Sequence, residues 1–147
     1  MLKETKRVIL VGFGNEFRRD DSLGIRLLDL IEDERVEKIK VQELSYSIID
    51  EIKDFDIVIF IDASIEGNDI NFKKIEKKEK FSPLTHHIPP EELLIWAEFI
   101  NKKKYDFYVL SIRGYDFDFG EELSENAKKN LQKGVIFLKN FLKSLNI

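Results

Sequence analysis

Three short stretches of this chain hold side chains able to bind a cation or move a proton. Asp20 and Asp21 stand side by side after Gly12-Phe13-Gly14-Asn15. Asp62 closes the apolar run Ile57-Val58-Ile59-Phe60-Ile61, and His86 and His87 stand in Pro83-Leu84-Thr85-His86-His87-Ile88-Pro89. Carboxylate oxygens with an imidazole nitrogen suit a borderline divalent ion such as nickel or zinc. Two carboxylates close enough to share a proton suit acid–base chemistry instead. Each stretch also has a plainer explanation. Asp is a favoured N-cap, and acids in a first helical turn suit the helix dipole. Asp62 before Ala63-Ser64 fits a turn cap, and a histidine pair in a loop fits a solvated surface. Other chemistries are excluded. The chain has no Cys, hence no disulfide, thiolate metal site or Cys nucleophile. G-x-S-x-G is absent, and no Ser-His-Asp arrangement is marked out.

The glycines around the first acid pair invite a dinucleotide reading, which fails. Gly12-Phe13-Gly14 supplies G-x-G, but Phe17 stands where G-x-G-x-x-G needs its third glycine. Glu16, Asp20 and Asp21 would repel a pyrophosphate. The phosphate-cradling G-x-x-x-x-G-K-[ST] loop is absent as well. A carboxylate-rich strand-to-helix turn points to a cation or a proton.

Strands that deliver such turns to one edge are legible from periodicity. Val8-Ile9-Leu10-Val11 reads as a buried strand over 7–13, and Leu23, Leu27, Leu28, Leu30 and Ile31 have helical spacing over 21–34. Strands are expected at 39–44, 57–62, 70–77 and 107–112, with a short helix at 47–53. The almost wholly apolar 57–62 fits a central strand covered on both faces. Residues 73–80 are highly charged and read as a solvated edge or loop. Pro89-Pro90-Glu91-Glu92 has the composition of a first helical turn. From Ser124, Ala127, Leu131, Val135, Leu138, Leu142 and Leu145 make one apolar face of a last helix. Strands alternating with helices predict an α/β three-layer sandwich with a mostly parallel, about five-stranded central sheet. In that architecture ligands bind beyond the carboxyl ends of the strands, where the Asp20-Asp21 pair, Asp62 and an imidazole of His86 or His87 would meet.

Composition narrows the class further. At 147 residues, 43% hydrophobic, the chain is expected to form one globular domain, 1–147. A net charge of -4 gives no footprint for nucleic acid. No membrane partner is expected, because no apolar run exceeds the five residues of 57–61. Lys3, Lys6 and Arg7 precede only a strand-length apolar segment, so no secretory leader is expected and the cytoplasm fits best.

Together these motifs resemble those of the hydrogenase maturation endopeptidases, which trim the large subunit of nickel–iron hydrogenases. Gly12, Gly14, Asn15, Asp20, Asp21 and Gly24 match the family's G-x-G-N-x-x-x-x-D-[DE]-x-x-G. Ile59-Phe60-Ile61-Asp62-Ala63 is similar to its apolar-strand-then-Asp-Ala segment, and Thr85-His86 to its Thr-His segment. The resemblance implies an endopeptidase, aspartyl-protease-like in its acids, that removes a C-terminal extension from the precursor after nickel insertion. It assigns metal contact and catalysis to Asp21, Asp62 and His86. It implies no permanently held cofactor, the metal being the precursor's own nickel, and it makes the large-subunit precursor the partner. Read without the resemblance, the residues also allow a non-catalytic doubly wound binding module, or a metal-independent aspartyl-type peptidase using Asp21 and Asp62 as a shared-proton pair.

Overall fold

The computed structural model describes residues 5–77 and 88–147. Five strands form one sheet in the order β2-β1-β3-β5-β4. They are β1 (Val8–Phe13), β2 (Val36–Val41), β3 (Ile57–Ser64), β4 (Ile70–Lys74) and β5 (Asp106–Arg113). All neighbouring pairs are parallel except β4, which runs antiparallel along β5 at the edge. The helices are α1 (Leu23–Leu30), α2 (Ile48–Glu51), α3 (Pro90–Asn101) and α4 (Glu125–Ser144). A 3-10 turn, Arg19–Ser22, enters α1. The α/β sandwich with a mostly parallel sheet expected from the sequence is the one observed.

Alternation along the central strands divides the core in two. Val8 and Leu10 of β1 join Ile57, Ile59 and Ile61 of β3 beneath α1 and α4. Ile9 and Val11 join Val58 and Phe60 on the opposite face, with Ile48, Ile49, Leu93, Leu94 and Ala97 from α2 and α3. Asp62 lies two residues beyond Phe60 and so faces the α2–α3 side. Chain order reverses between β1 and β3: the connection after β1 goes to β2 on one side, and the strands after β3 lie on the other. That switch point is where an open α/β sheet leaves a crevice for a ligand.

Several element boundaries differ from the sequence reading, among them the end of β4, which stops at Lys74 rather than at 77. The first helix stops at Leu30 rather than near Glu34. Ile31 is extended and buried, and the Lys38 ammonium caps the helix end by donating to the carbonyls of Leu28 and Ile31 at 3.0 and 2.8 Å. The second strand spans Val36–Val41, not 39–44, because Val36 to Val41 pair in register with Val8 to Phe13. Residues 42–44 are thereby released from the sheet to wall the crevice. Asp62 does not end its strand: β3 continues through Ala63 and Ser64, paired with Ile112 and Arg113. The last helix begins as expected, with the Ser124 side chain accepting from the Ala127 N–H.

Candidate active site

The two adjacent acids of the opening motif face opposite ways and do different things. Neither caps a helix: Arg18 and Ser22 occupy the N-cap positions of the 3-10 turn and α1, and neither makes a side-chain cap. Asp20 is fully buried. Its Oδ2 accepts from the N–H groups of Tyr115 and Asp116 at 2.7 and 2.9 Å and from the Ser124 hydroxyl at 2.6 Å. Its Oδ1 accepts from the Ser124 N–H at 2.8 Å. Burial pushes this carboxyl up, but the Ser124 hydroxyl and the three N–H groups together hold it below the usual carboxylate range. Asp20 therefore ties the opening loop to residues 115–124 and to the start of α4. Neighbouring arginines reinforce the tie. Arg19 pairs with Asp116 and donates to the Glu122 carbonyl, and Arg18 stacks 4.1 Å over the Phe119 ring.

Removing a buried, fully bonded carboxylate leaves its donors unpaired. Asp20→Ala should lower unfolding free energy by about 3–5 kcal/mol in urea titrations. A loss below about 1 kcal/mol would show that the 115–124 segment is held by other contacts.

Asp21 turns toward the switch-point crevice. Its Oδ2 accepts from the Asn15 N–H at 2.8 Å, which fixes the carboxylate against the loop that carries it. Two glycines make this possible. Gly14 has φ +143, and a Cβ there would lie 2.0 Å from the Asp21 carbonyl oxygen. At Gly24, in the first turn of α1, a Cβ would lie 2.1 Å from the Ile61 carbonyl oxygen. The bare backbone lets the helix start sit directly on β3, one residue before Asp62.

Asp21 and Asp62 consequently line one cavity of about 600 Å³, with Gly14, Glu43, Pro89 and Val109 among its walls. Asp62 Oδ1 is buried and has no hydrogen-bond partner among the described residues. Burial, and then the nearby Asp21 charge, push the Asp62 carboxyl up to about 6, against the pull of the Ser111 hydroxyl and of Lys73. Ser111 is the register partner of Asp62 on β5. Two carboxylates facing one desolvated space, one with a bare oxygen, can hold a divalent cation or share a proton.

His86 and His87 lie outside the described residues. Ile88, Pro89 and Pro90, which follow them directly, line the same cavity. The walls Gln42, Glu43, Leu44 and Val109, with Ser111 behind Asp62, were not singled out from sequence. They lie on a strand exit and a mid-strand face, and only the observed register assigns them to the site.

No family model matches the chain. A protein of Methanocaldococcus jannaschii that carries the provisional name of hydrogenase maturation protease is 27% identical over 164 residues, covering 99% of this chain and 94% of that one. Among solved structures, the nickel–iron hydrogenase maturation protease HycI of Thermococcus kodakarensis superposes with a TM-score of 0.71 at 23% identity, covering 95% of this chain and 94% of its own. The hydrogenase maturating endopeptidase HybD of Escherichia coli does so with a TM-score of 0.74 at 15% identity, covering 93% and 92%. This is the fold of the hydrogenase maturation proteases. The likeness read from the motifs extends over nearly the whole chain. Within the maturation-protease fold, the cavity holding Asp21 and Asp62 lies at the carboxyl edge of the sheet, between β1 and β3.

Proposed function

We propose that this protein is the endopeptidase that removes the C-terminal extension of a nickel–iron hydrogenase large-subunit precursor once nickel has been inserted. The observation that carries the proposal is the meeting of Asp21 and Asp62, from separate elements, in one cavity at the switch point. The similarity to maturation proteases in sequence and fold supports it. The metal is part of the substrate, so no permanently bound cofactor is required.

The site suits that substrate. The bare Asp62 Oδ1 is a desolvated acceptor without a donor, a costly state that a cation relieves. Asp21 offers a second carboxylate, oriented by the Asn15 N–H. The third ligand we assign is His86, two residues before Ile88 of the cavity wall. Such a small set of ligands can test for nickel in the precursor without extracting it. In contact with these side chains the precursor's own nickel would supply Lewis-acid chemistry, polarisation of the scissile carbonyl or acidification of a water. The reaction belongs in the cytoplasm, and no described helix is long and apolar enough to cross a membrane.

The elevated Asp62 carboxyl beside Asp21 favours one second reading, a metal-independent aspartyl-type peptidase with a shared proton. Incubation with nickel-loaded and nickel-free precursor separates the two. Mass loss only from the loaded form is the expected result. Equal loss from both would establish the aspartyl reading, and binding without cleavage would leave a binding module.

The two histidines are separated by the same assay. Side chains of adjacent residues leave the backbone in different directions, so one ion is not expected to draw on both. His86→Ala should stop nickel-dependent processing, and His87→Ala should leave it within about twofold. The converse would shift the ligand by one position. Loss in both would give the second histidine an orienting or substrate-contacting role. Activity in both would leave the two aspartates as the whole site.

A further inference from the structure

A second hollow, about 420 Å³, is walled by Tyr46, Ile49, Asp50, Trp96, Ile100 and Asn101. Its two walls continue those of the active cavity. On one side, residues 42–44 of the cavity lead into Tyr46 and α2. On the other, Pro90 of the cavity opens α3, which carries Trp96 and Ile100. The Tyr46 hydroxyl donates to Glu92 Oε1 at 3.3 Å and joins the walls between the two hollows. At 1.5 Å per residue, Trp96 and Ile100 lie about 9 and 15 Å along α3 from Pro90, the length of roughly three to five extended residues.

The helix is apolar on two sides. Leu93, Leu94 and Ala97 fill the core, while Phe99 and Ile100 face outward, 72% and 54% exposed. An apolar second face calls for a cover. Charge selects that cover. Asp21 and Asp62 line the cavity, Glu92 stands at the junction and Asp50 lines the groove. No Lys or Arg is among the described lining residues of either hollow. Lys53 reaches Asp50 at 3.5 Å but is not part of the wall. A second copy of this chain docked symmetrically would set these acids against themselves.

We propose that the α2–α3 groove docks the hydrogenase precursor through an apolar, net-basic segment lying within about five residues of its scissile bond. This rests on the endopeptidase reading above. The groove holds that segment while the bond to be cut lies in the cavity, so it sets substrate affinity rather than the chemical step.

Trp96 is the only tryptophan of the chain, which makes the groove its own reporter. Nickel-loaded precursor is titrated into the Asp62→Asn protein with Trp96 emission recorded. Cleavage kinetics are then compared for the parent, Ile100→Lys and Asp50→Lys, both exposed positions whose folding is checked by melting. A saturable emission change is expected, with KM raised about tenfold in both variants and kcat within about twofold. Unchanged KM in both, with flat emission while the parent still cleaves, overturns the docking site and leaves the peptidase reading standing. Emission that depends on protein concentration, with a dimer mass and no precursor present, assigns the groove to a second copy and likewise overturns it. Failure of the parent to cleave any precursor removes the peptidase reading and this inference with it.

Discussion

Asp62→Asn is expected to abolish precursor cleavage and yet give a protein that melts higher than the parent at pH 7.5. The functional half follows from ligand chemistry. An amide is a far poorer cation ligand than a carboxylate. Even residues one shell removed from a metal typically change affinity or activity 10–100-fold. Loss of kcat/KM by at least about a hundredfold is therefore expected. The stability half follows from burial, which, with the Asp21 charge, pushes the Asp62 carboxyl from 3.8 up to about 6. A carboxyl whose pKa is higher folded than unfolded holds its proton more tightly in the native state. Its ionisation then costs stability. The cost is absent below about pH 4, grows through the interval, and is complete above about pH 6. At 1.36 kcal/mol per pH unit the interval sets an upper limit of about 3 kcal/mol. Asn does not ionise and keeps nearly the same shape. The variant should gain about 1–3 kcal/mol at pH 7.5, or roughly 3–10 °C in Tm, and should converge with the parent at pH 4. Calorimetry at the two pH values measures this. A variant that melts below the parent at pH 7.5 would make Asp62 a structural carboxylate, and a gain that persists undiminished at pH 4 would show that ionisation of Asp62 is not its cause.

Gly14→Val is expected to be among the most destabilising single changes in the opening loop. Two independent penalties coincide there. The backbone sits at φ +143, a region that L side chains rarely adopt and that β-branched ones adopt least. A Cβ would also lie 2.0 Å from the Asp21 carbonyl oxygen, which belongs to backbone and has no rotamer by which to retreat. The loop must open, the Gly14 N–H loses the Val41 carbonyl at 3.3 Å, and Asp21 leaves the Asn15 N–H. A loss of about 4 kcal/mol or more is expected, a Tm fall of about 10 °C or greater, with activity gone even in the folded fraction. Gly67→Ala is the control. Gly67 also has positive φ, at +92, but an added Cβ meets nothing within 4 Å. It should show the conformational strain alone, about 1–2 kcal/mol, with cleavage intact. Equal losses at the two glycines would mean that close packing against Asp21 does not matter.

The elements and their class are legible in local patterns of the chain. Strand and helix periodicity are local properties, and so is the glycine spacing that forces a tight turn between β1 and α1. Gly12, Gly14 and Gly24 with Asp20 and Asp21 were legible for that reason, as was Asp62 at the end of an apolar run. Composition settled what the site could not be, since a chain without Cys has no thiolate chemistry. Element ends were less legible. Where α1 stops depends on Lys38 reaching the carbonyls of Leu28 and Ile31, and where β2 starts depends on Val36 finding Val8. The antiparallel direction of β4 likewise depends on its partner β5.

Which acid is buried and which faces the cavity depends on contacts distant in sequence. Asp20 and Asp21 are adjacent and alike in sequence. They part because Tyr115, Asp116 and Ser124, some 95 to 104 residues away, present donors that bury one carboxylate and leave the other to the cavity. The company Asp21 keeps is equally non-local. Pairing of Gly12 with Ile61 in the β1–β3 register, and the bare Gly24 backbone against the Ile61 carbonyl, bring Asp62 to the same space. Local sequence encodes the pitch of a helix and the alternation of a strand, because those depend on neighbours a few residues apart. The partners of a buried charge depend on chain folded back from a hundred residues away, and no local pattern carries that.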